Sequence, residues 1–85
     1  YLWKPKKPGR VVHVHWHDAG SVDRWHDIAA SSWVENCHTV GLLIEINDTY
    51  VRVANTVSNR DSICCVIAIP RGMILSLKEI AKLND

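Results

Sequence analysis

The sequence predicts a mainly β protein, a small SH3-like or Sm-like five-stranded barrel with a short helical insertion between strands 1 and 2. Three observations carry this expectation. Apolar and polar residues alternate over short runs such as "VVHVHW" and "YVRVANTV", the period of strands with one buried face. The elements follow in the order strand, long insertion, hairpin, strand, tight helical turn, strand. The tight turn in "IPRGMI", set by Pro70 and Gly72, is the most telling part of that order.

The first strand is marked by Val12, Val14 and Trp16, which alternate with His13, His15 and His17 and so place the three imidazoles on the outer face. Over residues 21–33 the period changes. Trp25, Ile28, Ala29 and Ser32 fall at helical spacing, with Ser21 or Asp23 available as an N-cap and Asp27 near the first turn. "HTVGLLIEI", "NDT" and "YVRVANTV" then read as a hairpin, because Asn47 and Asp48 tolerate tight-turn dihedrals and both flanks are β-branched. Val40, Leu42, Ile44 and Ile46 are expected to face the core together with Val51, Val53 and Val57, leaving Leu43 outside.

The run "ICCVIAIP" is apolar on both faces, so it is either covered on both sides or part of an interface. Ile63, Cys65, Ile67 and Ile69 are assigned to the core and Cys64, Val66 and Ala68 to the surface. The final segment, "MILSLKEI", reads as a short strand or a strand passing into a frayed helix. Closing five short strands into a barrel hides most edges, which is how so small a chain tolerates this much apolar strand.

Composition sets further bounds. At 85 residues the chain is one domain, residues 11–85, preceded by a basic N-terminal tail, residues 1–10. A chain this short buries only about 60% of its unfolded surface, so association with a partner would help it. A homo-oligomer through the "ICCVIAIP" strand is therefore expected. The competing explanation is that the N-terminal tail folds back over the exposed row as a strap. The formal charge of +1 gives the body no strong field for nucleic acid or membrane. The charge is uneven, however: Lys4, Lys6, Lys7 and Arg10 lie close to Tyr1 and Trp3, a set able to grip phosphates and stack on bases. No apolar run reaches the roughly 20 residues of a membrane span, and no signal segment opens the chain, so a soluble cytoplasmic protein is expected. The three cysteines, Cys37, Cys64 and Cys65, indicate no disulfide framework.

The pattern "VHWHDAGSVDRW", then "TVGLLIEINDTYVRVANTV", then "AIPRGMILSLKEI", resembles a widespread group of small phage-encoded proteins of unknown function. Trp16, Asp18, Trp25, Val40, Gly41, Ile69 and Pro70 are its anchors, and the resemblance covers nearly all of residues 11–83. It implies a phage or prophage origin, hence the cytoplasm of a bacterial host, and an SH3-like barrel. It brings no catalytic residues. In that group the positions of His13, His15 and His17 are more often other polar or acidic residues, so this chain departs from the pattern there.

Candidate chemistry is sparse. Histidines at alternate strand positions point the same way and can share zinc, so His15 and His17 form a weak alternative metal pair, completed by Asp18, His26 or His38. Three such positions span roughly 13 Å along a strand, which keeps His13 and His17 from one ion. The other readings are a solvated strand face and a cluster that charges in acid and repels. Asp18, before Gly20 and Ser21, is expected to clamp a turn and hold Trp16 and Trp25. Cys64 and Cys65 are read as inert mid-strand thiols. With no catalytic residue and no cofactor indicated, the expected function is a binding protein that engages or sequesters a host protein or small ligand. Trp25, Trp33, Arg24, Arg52, Arg60 and Arg71 are its candidate contact residues. A nucleic-acid-binding module using Lys4, Lys6, Lys7 and Arg10 is the alternative.

Overall fold

The structure is a computed structural model that describes residues 1–19, 34–58 and 62–84. The described residues form five strands: β1 (Gly9–Ala19), β2 (Val34–Ile46), β3 (Tyr50–Val57), β4 (Ile63–Pro70) and β5 (Ile74–Leu83). A 3-10 helix, Arg71–Met73, joins the last two. All pairings are antiparallel and form one sheet in the order β4-β3-β2-β1-β5. The final segment is thus strand throughout. The helix expected over residues 21–33 lies outside the described residues. Among the described residues no helix is long and apolar enough to cross a membrane.

β4 and β5 are the two edges, yet only three residues connect them. Four strand spacings of about 4.8 Å would separate the edges of a flat sheet by about 19 Å, whereas three 3-10 residues rise about 6 Å. The sheet is therefore curled. Its inner face gathers Val12, Val14, Trp16, Leu43, Val51, Val53 and Ile69 into one cluster, against which Ile67 from one edge strand and Ile74 and Leu77 from the other also pack. The curl does not close by strand pairing, which corrects the expectation of a barrel without edges. Among the described residues β5 pairs only with β1, β4 only with β3, and the two do not run side by side beyond the 3-10 corner.

The register of β1 on β2 decides which side chains are inside. Val12, Val14 and Trp16 lie opposite Gly41, Thr39 and Cys37, so the odd-numbered residues of β2 share the inner face. Val40, expected in the core, lies opposite His13 on the outer face and is 55% exposed. Leu43, expected outside, is 1% exposed. A register irregularity between Leu43 and Glu45 then shifts the phase and brings Ile46 back to the inner cluster. Cys65, assigned to the core, is exposed, with a backbone φ of 58°. Leu42, Ile44, Val57 and Ile63, expected in that same core, lie instead in or against a second cluster with Ala54; the other core assignments hold.

That second cluster, to which Trp3, Val57 and Ile63 also pack, is what the N-terminal tail covers. Trp3 N–H donates to the Ile44 carbonyl at 2.7 Å, and Ile46 N–H donates to the Tyr1 carbonyl at 3.0 Å. Leu2 bridges to Glu45, so the tail resumes, on the same side of β2, the pairing that β1 leaves at Leu42. The tail is thus a strap, but along β2 rather than over the exposed row of β4. Gly9 permits the arrangement: a Cβ there would lie 2.4 Å from Leu42 Cδ1 and 3.2 Å from Trp3 Nε1. The hairpin between β2 and β3 is closed by Asn47, whose Oδ1 accepts from the backbone N–H of Thr49 and Tyr50 at 2.8 and 2.9 Å.

Gly41 gives a direct test of this packing. A Cβ at Gly41 would sit 2.4 Å from the Ala54 carbonyl oxygen, a backbone atom that cannot rotate away, whereas one at Gly72 meets nothing within 4 Å. Gly41→Ala is expected to lower unfolding stability by about 1–3 kcal/mol, and Gly72→Ala to leave it unchanged or raise it by up to about 1 kcal/mol, as measured by urea unfolding. Equal effects at the two sites would show that the β2–β3 contact does not constrain the fold.

Candidate functional site

Beyond the inner cluster, β1 and β2 carry a polar ladder on their outer face. Because His15 lies opposite His38 and His17 opposite Asn36, the alternation that buries Trp16 also brings these side chains together across the strands. His15 and His38 stack with ring centroids 4.5 Å apart and planes 5° apart, and His13 stacks on His38 at 5.1 Å. His13 Nε2 and His38 Nδ1 are 2.8 Å apart, a hydrogen bond in which one ring donates and the other accepts. Asn36 Oδ1 receives both His15 Nε2 at 2.7 Å and His17 Nε2 at 3.1 Å. An amide oxygen only accepts, so both imidazoles carry their proton on Nε2. β5 flanks the ladder with Lys78 opposite His13 and Ser76 opposite His15.

This chemistry bears on the metal alternative. The Nε2 atoms of His15 and His17 converge on an amide oxygen, and the facing nitrogens of His13 and His38 are bound to each other. Among the described residues no group of three or more histidine, cysteine or acidic side chains is placed to hold an ion. Of the other ligands considered, Asp18 sits in β1 opposite Glu35, and His26 lies outside the described residues. The turn that Asp18 was expected to clamp, and Trp25 with it, also lies outside them.

Of the candidate contact residues, Arg52 and Arg71 are among those described, and each is held by a separate contact within the chain. Trp25, Trp33, Arg24 and Arg60 lie outside the described residues. Arg52 Nε donates to Glu45 Oε1 at 2.8 Å, a partly buried ion pair across β2 and β3. Arg71 Nη1 donates to the Asn47 carbonyl at 3.0 Å, tying the 3-10 corner to the β2–β3 turn. Beside it, Ile46, Val51, Arg71, Ile74 and Leu77 line an open apolar cleft of about 270 Å3 at the mouth of the curl.

The tail's groups are engaged within the chain. Trp3 Nε1 donates to the Lys7 carbonyl at 3.1 Å, and its ring packs on the second cluster. Arg10 lies 4.8 Å over the Tyr1 ring and pairs with Glu79 at 3.6 Å. Lys4, Lys6 and Lys7 remain exposed in a tight turn closed by Lys7 N–H and the Lys4 carbonyl. Sequence reasoning missed the role of Asn36 and His38 because nothing in the sequence states the β1–β2 register. It also read Cys64 and Cys65 as inert mid-strand thiols with Cys65 in the core, whereas Cys65 is exposed like Cys64. The Cys65 thiol is held above its ordinary value chiefly by its hydrogen bond and charge coupling to Cys64, with burial the smallest cause.

Comparison with protein-family models, curated proteins and solved structures returns no match.

Nitrogen-15 NMR at about pH 8.5, above the window in which imidazoles usually charge, is expected to show the Nε2-protonated tautomer at both His15 and His17. Asn36→Ala should relax both rings toward the tautomer mixture of a free histidine side chain, in which Nε2–H already predominates, and an Nδ1-protonated ring in the wild type would contradict the ladder. Protein purified without a histidine tag is expected to carry substoichiometric zinc; one zinc per chain, lost in His15→Ala and His17→Ala, would contradict the hydrogen-bonded arrangement.

Proposed function

We propose that the chain is a non-enzymatic interaction protein of phage type, built on an opened SH3-like or Sm-like barrel, which self-associates through β4 and engages a host protein or small ligand in the cytoplasm. The observation that carries this reading is the state of β4. It is an edge strand with no charged residue between Ile63 and Pro70, and Cys64, Val66 and Ala68 are exposed along it, Val66 by 40%. Unpaired N–H and C=O groups beside an apolar row are what a second chain pairs with. The N-terminal strap does not compete for this row, because it runs along β2. Covering about 400 Å2 of apolar surface at about 25 cal/mol per Å2 contributes roughly 10 kcal/mol, against association costs of about 4–15 kcal/mol. Edge hydrogen bonds and ring closure add to that. The strand order and the 3-10 corner before β5 support the SH3-like reading of the fold.

The alternative, nucleic-acid binding, rests on the exposed turn of Lys4, Lys6 and Lys7. It is weakened by the fact that Tyr1 and Trp3, the residues able to stack on bases, are already held by Arg10 and the second cluster. Binding to oligonucleotides that falls steeply with salt would favour it.

Val66→Asp tests the first reading. Analytical ultracentrifugation is expected to show a wild-type oligomer and a dissociated variant that keeps its β circular dichroism. A wild type that is monomeric at micromolar concentration would overturn self-association through β4.

A further inference from the structure

Successive side chains of a β-strand point to opposite faces, so adjacent cysteines within β4 should hold their thiols apart. Here the Sγ atoms of Cys64 and Cys65 are 3.4 Å apart. The cause is the backbone of Cys65, whose φ of 58° lies in the left-handed region that residues with a Cβ rarely occupy. Lys6, the other non-glycine residue in that region among those described, sits in the tight turn of the strap, where a reversal of chain direction accounts for it. Cys65 has no such account. β4 pairs with β3 in one register on both sides of it, Thr56 opposite Cys64 and Ala54 opposite Val66. The strained residue therefore neither ends the strand nor shifts its pairing. Its product is a pair of sulfurs on one side of an exposed edge.

We propose that Cys64 and Cys65 form a chelating dithiol site for a soft trivalent ion of the arsenite class, inorganic or carrying one organic group. The geometry separates this from the other chemistry of paired thiols. A disulfide would have to draw the sulfurs to about 2.05 Å between Cα atoms about 3.8 Å apart, outside the usual range for the bond. A single atom seated between the sulfurs bonds both with little movement. Zinc needs four ligands, and no third histidine, cysteine or carboxylate joins the pair among the described residues. A linear two-coordinate ion needs its sulfurs on opposite sides. A pyramidal ion, whose bonds meet near a right angle, takes two sulfurs on the same side and keeps its third position for oxygen or carbon.

The step balances without an oxidant. With an organoarsenous acid, RAs(OH)2, two As–O bonds and two S–H bonds break, two As–S bonds form and two waters leave, and arsenic stays trivalent. Each thiol proton departs with a hydroxide, so the reaction draws on the protonated pair. The site lies at the start of β4, where it shares Cys64 with the exposed row, and binding by a single chain does not require self-association.

The test uses the reduced full chain and phenylarsonous acid in excess glutathione, read by intact mass. One adduct per chain is expected, removed by a small dithiol and not by the monothiol. Cys64→Ser and Cys65→Ser should each lose the adduct, with apparent affinity down at least about 100-fold for want of the second, intramolecular sulfur, while Cys37→Ser retains it. Because the strained backbone preorganises the pair, the urea-unfolded wild type should bind several-fold more weakly than the folded chain. An adduct that survives either single substitution, one that requires Cys37, no adduct on the wild type, equal affinity of folded and unfolded chains, or loss of two hydrogens in air before the probe is added would each overturn the proposal.

Discussion

The β1–β2 ladder is the constraint on which the rest of the structure depends. It runs from Val11 opposite Leu42 to Ala19 opposite Val34 in one unbroken register. A slip of one residue would exchange every inner side chain of one strand for an outer one. In the observed register Trp16 reaches Thr39, whose Oγ1 accepts its Nε1–H at 3.0 Å, so the polar atom of this inner-cluster indole is satisfied. The same register assembles the outer ladder of His13, His15, His17, Asn36 and His38. Core and polar face are two consequences of one pairing.

A chain of this size has little interior to spend on two faces. The inner cluster uses the curl of the sheet, and the second uses the strap. Leu42 and Ile44 sit on the outer parity of β2 and would be solvated if Trp3 were elsewhere, at about 1.5–3 kcal/mol for each large aliphatic side chain exposed. The tail residues that composition alone suggests for nucleic acid therefore have a prior structural use. Trp3 fills, Gly9 makes room for it, and Tyr1 supplies both a backbone bond to Ile46 and a ring for Arg10.

The sequence was legible where a period met no competing cover. β1 shows this best: Val12, Val14 and Trp16 are buried and the histidines lie outside, as alternation requires. The Asn47 turn and the 3-10 corner were legible too, because Asn, Asp, Pro and Gly carry their dihedral preferences locally. β2 was misread by one residue because "TVGLLIEI" is apolar on both parities, and only the partner strand distinguishes Val40 from Leu43. Closure was misread because it depends on whether β4 and β5 meet, a relation between edges that no local period encodes. The histidine row was visible, but the tautomers fixed by Asn36 follow from a contact 19 to 21 residues away. The Cys64–Cys65 pair was hidden by the assumption of strand alternation, which holds until a backbone angle breaks it.

The two edges of the sheet are not equivalent, and the difference bears on how the molecule meets others. β5 carries Lys78, Glu79 and Lys82, and its pairing with β1 shifts register twice, between Val11 and Val12 and between His15 and Trp16. Charges and irregularities of this kind are the usual means by which an edge strand avoids pairing with a stranger. β4 has neither device over most of its length. Its single proline is the last residue, its register on β3 is regular, and its only irregular residue, Cys65, strains the backbone without shifting the ladder. A guarded β5 edge beside an apolar, regular β4 edge is the asymmetry on which the proposed self-association through β4 rests. That asymmetry also separates the two proposed uses of β4: the regular stretch from Val66 onward suits another strand, and the strained start of the strand suits an ion between two sulfurs.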